Sequence, residues 1–122
     1  MKRSLIAMAT VATLFSSAMV HAERPDHYKG LPANTLDEAV ANFSEYNDKL
    51  AEVLQGELTP EAMNEVHQLT YTLENALGKV SEEFELLAET LEEVHIASES
   101  NDPQTVKKQG EAYLEVSRKV VR

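Results

Sequence analysis

The chain has 122 residues, 26% of them charged, and a formal net charge of −10. So acidic a surface repels phosphate backbones and anionic headgroups, which disfavours nucleic acid and membrane surfaces as partners and leaves a basic protein open. Cysteine is absent, which excludes disulfides, thiolate metal sites and covalent haem attachment.

The first 22 residues read as a secretory leader. Lys2 and Arg3 form a short positive region, and the apolar run LIAMATVATLF (residues 5–15) falls well below the ~18 residues that suggest a membrane span. SSAMVHA then ends with Val20 and Ala22 in the small-residue cleavage pattern, so cleavage is expected after Ala22. The alternative is an uncleaved N-terminal anchor. The expected location is periplasmic or secreted, with no membrane attachment after cleavage. The mature chain would be residues 23–122, 100 residues (122 − 22). Its formal charge would be −12, because Lys2 and Arg3 leave with a leader that has no Asp or Glu. That length suits one domain.

Residues 23–34, ERPDHYKGLPAN, carry two prolines and a glycine without an apolar period, and are expected to form an extended N-terminal arm. The helical domain is expected over residues 35–122. Thr35 and Glu38 have the spacing of a capping box, and apolar residues from Leu36 to Leu54 recur at helical intervals. Gly56 is expected to end this helix in the left-handed conformation. Thr59 followed by Pro60 opens a second helix, with Leu58 and Met63 spaced as a hydrophobic staple. Asp102 followed by Pro103 opens a third in the same way, running towards Val121.

Between them lies ENALGKVSEE (residues 74–83), where Gly78 could stop one helix and Ser81 start another. The apolar phase argues for continuity. Ala62, Val66, Leu69, Leu73, Ala76, Leu77, Val80, Phe84, Leu87, Leu91 and Val94 share one sector about 100° wide on a single helix. A hairpin has no need to keep that phase, and one internal glycine costs only ~1 kcal/mol. The predicted fold is therefore all-α: a helical bundle with a long, coiled-coil-like central helix over about 60–97, flanked by two shorter helices. The alternative is a four-helix up-down bundle with a turn near 78–81. One flanking helix on each half of a long helix leaves a thin core, for which an antiparallel homodimer would be a remedy.

Candidate site residues are sparse. His27 reads as a solvated arm residue. His67 and His95 stand in a repeated EVH triplet and read first as half-buried histidines bonded to a neighbour. Imidazole also serves haem and metals. If the chain reversed near residue 79, Met63 and His95 would come level and could ligate a b-type haem, with His67 as a further candidate. Glu92 and His95 form one E-x-x-H, the spacing that puts a carboxylate and an imidazole on one helix face and could hold a divalent metal loosely. The second such motif that a di-iron bundle needs is broken at Asn64. The remaining glutamates of the long segment read as a solvated face. Tyr71, in the stretch LTYTLEN, lies off the apolar sector and is expected to pack on a neighbouring helix or subunit. No nucleophile elbow, phosphate loop or H-E-x-x-H occurs, and no catalytic residue is assigned.

ERPDHYKGLPANTLDEAVANFSEYNDKL, VHQLTYTLENAL and LAETLEEVHIASES together resemble a family of small exported bacterial proteins of unknown function, over nearly the whole mature chain. The resemblance implies export and an all-helical fold, and transfers no activity or site. A fainter similarity to soluble cytochrome b562 lies in size, charge and helical pattern. That family takes its axial methionine from its first helix, which here has none.

The functional expectation is a small periplasmic, non-enzymatic helical protein that acts through a protein partner or as a homodimer, without a cofactor. The alternatives are a b-type haem carrier in electron transfer and a weak divalent-metal binder.

Overall fold

Each helix begins at a side chain that accepts a hydrogen bond from an otherwise orphan backbone N–H. In the computed structural model, which describes residues 28–121, these starts delimit α1 (Leu36–Gln55), α2 (Pro60–Glu99) and α3 (Pro103–Val120). No strand occurs among the described residues. The leader over residues 1–22, with its cleavage point, and arm residues 23–27 with His27 lie outside them.

The Thr35 hydroxyl accepts from the Glu38 N–H at 3.2 Å, and the Thr59 hydroxyl from the Ala62 N–H at 3.2 Å. Glu38 reaches one residue further back than a capping box requires: its carboxylate accepts the Asn34 N–H at 2.8 Å, tying the arm to the helix start. Asp102 accepts from both the Thr105 N–H (3.1 Å) and the Thr105 hydroxyl (2.6 Å).

Those bonds favour the ionised carboxyl, the Thr105 hydroxyl most, and lower the pKa of Asp102 below its ordinary value. A depressed folded-state pKa contributes stability that is present above the unfolded carboxyl's pKa and lost as pH falls through the folded one. The start of α3 should therefore fray on acidification, seen as accelerated exchange of the Thr105 amide. Asp102→Asn should abolish that acid sensitivity while keeping the cap, and unchanged acid fraying in the variant would refute the assignment.

The helix ends differ from the expected pattern at one point. Gly56 is extended (φ −92°, ψ −174°), not left-handed. Its N–H bonds back to the Val53 carbonyl at 3.2 Å, an i to i−3 bond that tightens the last turn without a positive φ. The left-handed residue is Asn101 (φ 54°), after the end of α2. There the Asp102 N–H bonds to the Ala97 carbonyl (2.9 Å) and the Asn101 N–H to the Ser98 carbonyl (3.4 Å), the paired bonds of a Schellman motif.

α2 runs without interruption through Gly78, so the four-helix alternative with a turn near 78–81 does not hold. It extends to Glu99, two residues past the expected end, and spans about 60 Å for its 40 residues. Gly78 is exposed, with nothing within 4 Å of where a Cβ would stand. Lys79 follows it and pairs with Glu82 (3.2 Å) and Glu83 (2.7 Å), a fork of i,i+3 and i,i+4 contacts that ties the next turn together.

Short connections fold α1 back along the first half of α2 and α3 along the second. The flanking helices barely touch each other. Lys119 near the end of α3 lies 3.0 Å from Asp37 at the start of α1, so their ends meet beside the middle of α2. The core is correspondingly thin. Leu36, Ala39, Leu69, Thr72, Leu73 and Ala76 are buried, all of them in α1 or the first half of α2. In the other half only Ala97 is.

Candidate functional site

The fold does not bring together Met63 and His95, the pair on which the haem reading rested. Met63 and His95 lie 32 positions apart on one continuous helix, about 48 Å along its axis, so they cannot share a haem within one chain. Met63 is 53% exposed. His67 and His95 are also exposed, not half-buried as expected. His67 does have the expected neighbour, its Nε2 standing 3.4 Å from the Tyr71 hydroxyl. The carboxylate beside His95 is Glu99, at 3.5 Å, one turn further along α2 and on the opposite side of His95 from Glu92. Among the described residues no group of three or more His, Asp or Glu converges as a metal cage would require.

Two other features stand out. The first is the arm. Gly30 sits with φ +68°, and a Cβ on it would fall 2.7 Å from the Thr72 nitrogen and 2.8 Å from the Tyr71 carbonyl carbon. Backbone is pressed against helix backbone, an approach open only to glycine. The fully buried Thr72 turns its hydroxyl to the Leu31 N–H at 3.0 Å. One turn on, the Asn75 amide donates to the carbonyls of Lys29 (3.0 Å) and Leu31 (2.9 Å), while Asn42 of α1 donates to that of Pro32 (3.0 Å). Tyr28 meets Tyr71 edge to face at 5.8 Å. Tyr71 thus packs on the arm, not on a neighbouring helix of the same chain. The clasp satisfies its own polar groups and forms a third layer over the middle of the molecule.

The second feature is an apolar groove of about 550 Å³ between the far half of α2 and α3. Phe84, Leu87, Ala88 and Leu91 form one wall; Tyr113, Leu114, Ser117 and Val121 form the other. Phe84, Leu91 and Leu114 keep between 42% and 46% of their surface exposed. These are seam residues that a third layer would bury, and on this half no arm supplies one. Sequence periodicity identified the α2 wall as apolar but not its exposure, which depends on where the flanking helices end.

The fold defines an all-α protein built on one long helix with two shorter helices laid along it. The chain belongs to a family of unknown function, DUF6746, which it matches over residues 1–122. No curated protein and no solved structure matches it.

Proposed function

We propose that the chain is a small exported, non-enzymatic helical protein that acts through protein–protein contact. The observation that carries this reading is the open apolar groove on the two-layered half of the rod, in a chain of otherwise strongly acidic surface. Exposed apolar surface that is continuous across two elements marks a contact site more often than a solvated one. The leader-like first 22 residues support export, after which the molecule would meet its partner outside the cytoplasm.

A photo-crosslinking residue placed at position 84 in the protein's own host should give discrete covalent adducts. The same residue at Glu89, on the other side of α2, should give none. A crosslinker at 84 that yields no adduct counts against contact through this face.

A further inference from the structure

We infer that the molecule is two helical hairpins joined by a hinge: α2 bends at Gly78, and the Lys119–Asp37 ion pair is the latch that keeps the bend closed. A glycine inside a helix is unfavourable relative to alanine. It earns its place where backbone must approach another element closely, or where the helix must bend. Close approach is not the reason here. Gly78 is exposed, and nothing lies within 4 Å of where its Cβ would stand. The arm stops short of it, its last bond to α2 among the described residues being at Asn75. Backbone freedom is what the glycine supplies.

Its position fits a hinge. Leu73, Ala76, Val80, Glu83, Leu87 and Thr90 follow one another at intervals of 3, 4, 3, 4 and 3 residues, and all are buried or half-buried. They form one face of α2. α1 covers its first part and α3 the rest, and their ends meet near its middle. At about 100° per residue, Gly78 lies on the opposite side of the helix. A bend there parts the two hairpins along the seam between α1 and α3, with no side chain at 78 to fill the crook.

The seam resists this weakly. α1 and α3 barely touch. Among the described residues, Lys119–Asp37 at 3.0 Å is the only ion pair or side-chain hydrogen bond between them. Its two side chains are open to water, so the pair is weak and screened by salt. The other long-range bonds hold each half within itself. The arm bonds to α1 and the first half of α2, and Gln109 of α3 bonds to Glu93 in the second half. Val121 lines the groove two residues beyond Lys119, so opening the latch also frees that end of the groove.

The chain has no cysteine, so nitroxide labels at Ala41→Cys on α1 and Glu115→Cys on α3 report the seam alone. Pulsed EPR should give a shorter and a longer distance. The longer one should gain population as salt rises from ~0.1 M to ~1 M, where the Debye length falls from ~10 Å to ~3 Å. Asp37→Asn, or Lys119→Gln on the other helix, should favour the longer distance at low salt and remove most of its salt dependence. Adding Gly78→Ala to either should cut the ratio of longer to shorter about five-fold, the equivalent of alanine's ~1 kcal/mol advantage in a helix. Amide exchange in the latch variants should quicken at Val80 and Glu83, on the side of α2 that stretches. A single distance in the parent and both latch variants at every salt concentration would overturn the inference. So would a longer distance that Gly78→Ala leaves unchanged, or quicker exchange confined to the end of α3, since either would mean that α3 frays while α2 stays rigid.

Discussion

Gly30→Ala should release the arm and lower stability by roughly 1.5–4.5 kcal/mol, the loss of three hydrogen bonds at ~0.5–1.5 kcal/mol each, because left-handed strain of ~1–2 kcal/mol on top of a backbone clash drives the arm off. The added methyl meets the Thr72 nitrogen at 2.7 Å and the Tyr71 carbonyl carbon at 2.8 Å. Both belong to the backbone in the middle of a 40-residue helix, which cannot shift the way a side-chain tip can. The arm must move instead, and with it go the Leu31 bond to Thr72 and the two Asn75 bonds. The loss is bounded, because α1, α2 and α3 still pack once the arm has gone. For a domain of about 100 residues each kcal/mol lowers the melting temperature by roughly 4–8 °C, so the fall should be at least about 6 °C.

The readout specific to the arm is the tyrosine near-ultraviolet dichroism, since Tyr28 would leave Tyr71 and the chain has no tryptophan to obscure the signal. Thr72→Val is the milder companion: it keeps the shape and removes the acceptor for the Leu31 N–H, at a cost of ~1–3 kcal/mol for the stranded donor. If Gly30→Ala melts with the parent and keeps its tyrosine signal, the arm does not dock as described.

Why the docking of the arm was not legible in the sequence, while most of the fold was, follows from the range of the interactions. Thr35, Thr59 with Pro60, and Asp102 with Pro103 act on backbone groups within three residues, so their meaning can be read locally. The continuity of α2 is likewise a local matter of phase. Gly56 misled because a glycine after a helix permits a left-handed stop without requiring one, and a backward bond to Val53 served instead.

Gly30 and Thr72 stand 42 positions apart and acquire their roles only from each other. The signal that was present is the run Leu69, Thr72, Leu73, Ala76, which places a threonine at i+3 among buried apolar residues. Polar groups in such a position must find a partner. The exposure of the groove was illegible for a related reason. The period shows that Phe84 and Leu91 are seam residues, but not that α3 leaves their outer flank open, a matter of tertiary placement.

Gly78 gives the other large effect, and the two substitutions there should act in opposite directions. In an uninterrupted helix Gly78→Ala relieves the backbone entropy of glycine at no steric cost, since nothing lies within 4 Å of the new methyl, and stability should rise by ~1 kcal/mol. Gly78→Pro removes the amide bond to the preceding turn and drives the ring into the carbonyl four residues back, costing ~3 kcal/mol or more. The proline variant should also lose helical dichroism in the middle of α2, on which both flanking helices depend for alignment. Urea titrations of the three proteins measure both shifts. The alanine variant discriminates best: a left-handed glycine in a tight turn would make it destabilising, whereas a helical glycine makes it stabilising. A lower urea midpoint for Gly78→Ala than for the parent would mean that the chain turns at residue 78, and the two-layered rod with its open groove would have to be abandoned.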